Sequence, residues 1–350
     1  MESSFNNPSI LTQRADGVAP SRAISFSPLL CLLAAVVLLS SITPAIKYVF
    51  EHSSMDPVAL AAFRVTVGFF VLFFSTILWD RGRASDMVDT NTAPLILLGL
   101  LGVASYAVAA WGLLHTSVTH YILIYSLMPA FTAILSFLLR TEEVHSFKIV
   151  GIVVSFVGCV IAIWGDGHEL GAGSSLGDGL VLLFTLMMAA YIVLGSGIAK
   201  RVRPLPANTV MFGGSSLMLS LVMVLFGLMG WGAPAFDPIS PVIIALVIYV
   251  GIATAALFLF RYISQQSLSP VTIGVYHNLV PVFTIFIACL CFDEGLEGST
   301  IVGGICIIVG AELVRRGASI GWMFCGDWQI ARDLFTLSTG YRTSCSQEAI

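Results

Sequence analysis

Two short polar clusters interrupt otherwise apolar stretches, each just ahead of a proline: Tyr121, Tyr125 and Ser126 before Pro129, and Tyr276, His277 and Asn278 before Pro281. Proline donates no N–H and its ring crowds the carbonyl four residues back, so the carbonyls of Tyr125 and His277 are predicted to lose their helical partners. In hydrocarbon such freed groups must be met by protein or water. The chemistry on offer is hydrogen-bonding recognition, with Tyr125, His277 and Asn278 as the recognising groups, rather than bond making. His277 is the one mid-stretch side chain that ordinarily titrates near neutral pH. Neither it nor His115 or His120 has a carboxylate or nucleophile at catalytic spacing, so no catalytic residues are expected. The cysteines show no zinc-ligand or disulfide spacing, and no metal or cofactor is expected. A plainer reading of the clusters is that the prolines curve their helices and the polar groups bond neighbouring ones.

Other residues add to or qualify this pattern. Trp111 is a candidate apolar wall, with Tyr191 opposite it or packed nearby; His115 and His120 are expected to be interfacial. Pro44, preceded by Ser40, Ser41 and Thr43, is a third helix break. Two cations fall inside apolar runs. Lys47 is near the end of its run, where it can snorkel to water or pair with Glu51 one turn on. Arg64 lies about 10 Å deep at helical rise, which calls for a partner inside the protein. Asp and Glu stay near the ends of the runs, which disfavours proton-coupled exchange of cationic drugs through a buried carboxylate. With Arg64 as the sole deep candidate, paired cations for a phosphate-bearing solute are not expected.

The elements that must position these residues are membrane spans. Of 350 residues 57% are apolar and only 10% charged, with mean hydropathy +0.95, about half the charge of an average soluble chain. Apolar runs of spanning length fall near 28–50, 57–79, 94–114, 118–139, 147–165, 178–199, 207–231, 241–261, 270–292 and 299–316. With the N-terminus cytoplasmic, ten spans place every Lys and Arg but Lys47 and Arg64 on the inner side, Arg261 among them at the end of its run. The chain also repeats. At an ungapped offset of 152, Pro129, Glu142, Gly151, Gly158 and Gly165 fall on Pro281, Glu294, Gly303, Gly310 and Gly317. Five spans separate each residue from its echo, so the second copy must be inverted, an arrangement typical of transporters. The predicted fold is an all-α polytopic membrane protein of ten transmembrane helices in two inverted five-helix repeats. Its expected parts are a flexible tail over 1–27, repeats over 28–165 and 178–317, and a cytoplasmic tail over 318–350. In that last tail Trp328, Ala331, Leu334 and Phe335 recur at helical spacing, as in a short surface helix.

The run from His115 to Thr132, then Arg140-Thr141-Glu142-Glu143, Gly151 and Gly158, resembles the EamA-type repeat of the drug/metabolite transporter superfamily. Leu268 to Gly310 resembles it again, as do Ala45-Ile46-Lys47, Ala62-Phe63-Arg64 and Gly177-Asp178-Gly179. One departure is that Thr141 and Asp293 stand where a glycine usually precedes the acidic residue. The resemblance implies a carrier of small organic solutes, often an exporter, with the solute in a central cavity between the halves. The expectation is therefore a secondary transporter of neutral, zwitterionic or amphipathic metabolites, amino acids included, working by alternating access. Its partners are a small-molecule substrate and the lipid bilayer, with a homodimer also considered and no nucleic acid. The plasma or bacterial inner membrane is the expected site, with both termini cytoplasmic. The alternatives are a nucleotide-sugar or sugar-phosphate exchanger, and a channel or receptor without alternating access.

Overall fold

A computed structural model describes residues 27–79, 92–116, 121, 124–142, 146–164, 175–229, 240–292, 298–299 and 301–316, and these are helical with short connections. In chain order the helices are α1 (Pro28–His52), α2 (Pro57–Trp79), α3 (Thr92–His115, with a π-helical turn at Leu100–Ala104), α4 (Met128–Leu138) and α5 (Ser146–Trp164). They continue as α6 (Ser175–Ala199), α7 (Pro204–Leu228), α8 (Pro241–Gln265), α9 (Pro270–Tyr276, a 3-10 turn His277–Leu279, then Val280–Phe292) and α10 (301–316).

Local sequence explains where they start. Proline occupies the first turn of α1, α7, α8 and α9, where its fixed φ suits a helix and its missing N–H costs no bond. Asp56 accepts from the amides of Val58 (2.8 Å) and Ala59 (3.2 Å) to cap α2, and Ser269 accepts from Thr272 N at 3.3 Å to cap α9.

Six helices among the described residues are long and apolar enough to cross a membrane: α1, α2, α3, α6, α7 and α8. The other four fall short of that length or are interrupted, and both interruptions are at the predicted prolines. Before Pro129 the chain makes a turn at 126–127, and the Leu127 carbonyl accepts from Ala130 N (3.0 Å) and Phe131 N (3.1 Å). Before Pro281 the 3-10 turn lets Val280 N–H donate to the His277 carbonyl. The expectation of an orphan carbonyl at His277 is thus corrected: tightening the turn from i+4 to i+3 brings a different amide onto it.

Side chains are arranged as lipid requires. Phe70, Phe74 and Leu78 on α2, Leu217, Leu221 and Leu228 on α7, and Ile301, Ile305 and Ile308 on α10 face outward, while Ser40, Arg64, Thr132, Ser155, Thr254 and Asn278 are buried. An apolar outer belt covers a core that is itself largely apolar and holds these polar groups, and this chain is an integral membrane protein.

The contacts between helices have an order of their own. α1 lies on α8 and α9, as α6 lies on α3 and α4; α2 touches α7 and α8, as α7 touches α2 and α3; α4 lies on α9. Exchanging α1–α5 for α6–α10 maps these particular contacts onto one another. At the seam of α5 and α10 the repeated glycines cross over: a Cβ on Gly151 would fall 2.7 Å from the Gly310 carbonyl, and one on Gly158 would fall 2.8 Å from that of Gly303. Lower numbers meet higher ones, so these two helices run antiparallel at van der Waals backbone contact.

The N- and C-terminal tails, the 327–338 segment, Ser117, His120 and Glu294 lie outside the described residues, as do the side chains of Lys47 and Glu51.

Candidate functional site

The residues singled out before Pro129 and Pro281 converge only in part. Tyr125, 6% exposed, stacks on Phe184 of α6 with ring centroids 5.6 Å apart, and Tyr121 stacks on the same ring at 6.2 Å. The His277 imidazole meets Tyr125 edge-on at 6.4 Å. Its Nδ1 donates to the Ile273 carbonyl at 2.7 Å, which fixes the ring, while Nε2 has no partner among the described residues. Tyr191 is fully buried against Phe258 at 5.4 Å. Ser126 is buried beside Cys159 of α5.

Three expected members stand elsewhere. The Asn278 amide donates to Ser155 Oγ at 3.0 Å and ties α9 to α5. Tyr276 lies within electrostatic reach of Glu312 and Arg315 on α10. Trp111 is 41% exposed on α3. Pro44 lies inside α1, below Ser41, whose hydroxyl shares a hydrogen bond of 2.6 Å with that of Tyr249 on α8.

The principal miss is Arg261. Sequence placed it at the inner end of its run, but α8 continues to Gln265 and carries Arg261 into the core, 0% exposed. It lies over Phe258 at 5.1 Å and Tyr191 at 6.0 Å, and it faces the Tyr106 hydroxyl without reaching hydrogen-bond geometry. The signal was present: the apolar run continues past Arg261 through Tyr262 and Ile263, so the span could have been drawn one turn longer. Tyr106, Phe184 and Phe258 were also missed, being indistinguishable in sequence from lipid-facing aromatics. Tyr106 joins the group edge-on to Phe184 (5.2 Å) and Phe258 (5.9 Å).

Arg64, 3% exposed, is deep as expected. One of its terminal nitrogens donates to Thr254 Oγ1 at 2.9 Å, and its guanidinium covers the Tyr106 ring at 4.6 Å. A cleft of about 50 Å³ between α1, α2 and α3 reaches Arg64, Tyr106 and Tyr121. Two guanidiniums therefore occupy the interior, and the expectation that Arg64 alone could meet an anion is overturned. The physical reason is helix length: four more residues of α8 turn a boundary cation into a core one.

The turn after α4 is tied to the start of α9. Lys148 pairs with Glu142, whose second oxygen accepts from Val271 N at 3.3 Å in the first turn of α9. Arg140 takes the left-handed conformation (φ 52°) that ends α4, and Thr141 N bonds back to Ser136 O at 3.0 Å. The residue in the glycine-demanding conformation is thus Arg140, one position before Thr141.

The EamA-like transporter family matches residues 26–164 and again 175–316. An uncharacterized transporter of Archaeoglobus fulgidus is 26% identical over 263 residues, 74% of this chain and 88% of its own length. The uncharacterized transporter YyaM of Bacillus subtilis is 26% identical over 275 residues, 75% of this chain and 85% of its own. The fold matches a solved crystal structure with a TM-score of 0.68 at 18% identity, covering 82% of this chain and 95% of that one.

Proposed function

This chain belongs to the EamA-like transporter family, and on that premise we propose that it is a secondary carrier of a small zwitterionic or amphipathic metabolite, amino acids included. It works by alternating access between two inverted halves of five transmembrane helices each. That it is a membrane transporter follows from the family and from relatives that carry the name. One observation carries the finer reading: Tyr125, Tyr191, Arg261 and His277 come from both halves and meet where α4 and α9 are each interrupted. Polar groups gathered beside paired helix breaks are costly in a bilayer unless something passes there.

The inverted arrangement is supported by the exchange symmetry of the helix contacts and by the crossed glycines of α5 and α10. Two copies facing opposite ways offer two states of near-equal energy, one open to each side. Helix-end Arg140, Arg201, Arg203, Arg315 and Arg316 all fall at the same side by helix parity, which favours cytoplasmic termini in a cell membrane. Export as the direction rests on the family resemblance.

The test is flux. Proteoliposomes are loaded with a defined mixture of amino acids, organic acids and neutral solutes, and their contents are profiled over time. Saturable loss of a subset, accelerated by the same solutes outside, is the expected result. Unsaturable flux would make the protein a channel, and absence of flux from correctly inserted protein would remove the carrier reading.

A further inference from the structure

We infer that Arg261 is the receptor for a carboxylate on the transported solute; this rests on the carrier reading above and names the class of solute. Arg261 is fully buried, yet its Nε and both terminal nitrogens have no hydrogen-bond partner among the described residues. Nor is a counter-ion near among the described residues. Among the described side chains, Asp56 caps α2, Glu142 holds Lys148, Asp178 accepts from Thr116, and Glu312 binds Arg315 and Arg316. A guanidinium left unpaired away from water is among the costliest groups a fold can hold.

The groups around it are unsatisfied too. The hydroxyls of Tyr106, Tyr125 and Tyr191, His277 Nε2 and both amide atoms of Gln265, one turn beyond Arg261, lack partners among the described residues. Orphaned polar atoms on α3, the segment before α4, α6, α8 and α9 surround one cation, a convergence that packing between helices does not produce, since it leaves every member unpaid.

What fits is a small anion with several acceptor positions. The planar guanidinium presents parallel N–H groups matched to a carboxylate, and three hydroxyls can donate to the same oxygens. The walls are Phe184, Phe258 and the tyrosine faces, so the remainder of the solute is apolar or aromatic. A phosphate dianion is less suited, because the second cation, Arg64, is already engaged by Thr254 and the Tyr106 ring. The cleft that reaches Arg64 is lined by Tyr106 and Tyr121, whose rings pack on Phe184 and Phe258 in the same aromatic group as Arg261.

Purified full-length protein is heated in detergent with benzoate, benzamide, benzylamine or phenyl phosphate, and the shift in Tm is titrated. Benzoate is expected to stabilise the wild type where benzamide and benzylamine do not. Arg261→Gln should weaken the benzoate response by roughly tenfold to a hundredfold, the range for charge-assisted hydrogen bonds, and Arg261→Lys should restore part of it. Equal responses to benzamide and benzoate, a benzoate response kept in Arg261→Gln, preference for phenyl phosphate, or no response to benzoate would each overturn the inference. If Arg261→Gln does not fold, the isostere comparison on the wild type decides. Saturable flux confined to neutral solutes in the proteoliposomes would sink this inference while leaving the carrier standing. Absent flux with intact benzoate binding would do the reverse.

Discussion

Arg140 shows how a single residue departs from what its backbone asks for. At φ 52° an L side chain is strained by about 1–2 kcal/mol relative to glycine, and Arg140 is exposed, so nothing in its packing compensates. Arg140→Gly is expected to raise the thermal stability of the purified protein by about 0.5–1 kcal/mol, read as a higher Tm; an unchanged or lower Tm would show that the side chain has a compensating contact. The tyrosines of the interior call for the opposite experiment. The hydroxyls of Tyr125 and Tyr191 are buried without partners among the described residues, so Tyr125→Phe and Tyr191→Phe remove a desolvated group and should leave stability unchanged or higher. The same variants should lower transport by about two- to tenfold, the worth of one hydrogen bond to a solute. A fall in both stability and transport would identify these hydroxyls as structural. Residue identity is where sequence spoke most clearly: Arg64 was marked as a deep cation from its depth alone, and it is one. Asn278 was not legible in this way, because whether its amide meets a solute or Ser155 depends on which helix packs beside it.

Helix contacts decide the next scale. On α5 and α10 the repeated glycines admit backbone to backbone, and a Cβ at Gly151 or Gly310 would meet main-chain atoms at 2.6–2.7 Å. Main chain cannot rotate aside, so Gly151→Ala or Gly310→Ala should cost about 1–3 kcal/mol through forced separation of the pair. Gly179→Ala and Gly197→Ala on α6 serve as controls, for a Cβ there meets nothing within 4 Å. Each control should gain up to about 1 kcal/mol from helix propensity. Unfolding in detergent separates the two outcomes; equal effects at both sites would remove the packing argument. On α3, Gly102 abuts the Tyr191 ring, and this contact seats the ring inside the chamber. The prolines of α4 and α9 were visible in sequence as breaks, but the form each break takes, a turn in one and a 3-10 segment in the other, was not.

For the whole molecule the consequence is topological. Ser146 and Gly298 are equivalent positions in the two repeats, 152 residues apart, and both are exposed. In a background without the seven native cysteines, Ser146→Cys and Gly298→Cys should be labelled by a membrane-impermeant maleimide from opposite faces of sealed, uniformly oriented vesicles. Labelling from one face would place the two copies parallel and remove the basis for two equivalent states. The same symmetry explains why polar residues of α3, α6, α8 and α9 share one chamber: each half contributes its inward faces to a common seam.

By itself the sequence determined what rides on composition and periodicity: a membrane-embedded helical protein, its internal duplication, the paired helix breaks and a buried Arg64. Those features are local or repeat along the chain, so they can be read without knowing which helix touches which. The tertiary structure decided the rest. Arg261 became the centre of the interior because α8 runs four residues longer than its apolar core and turns that face toward Tyr106 and Tyr191. Asn278 left the chamber because α5 lies against it. Side-chain partners across helices are set by register and rotation, and neither is written in the hydrophobic pattern of a chain that is apolar on nearly every face.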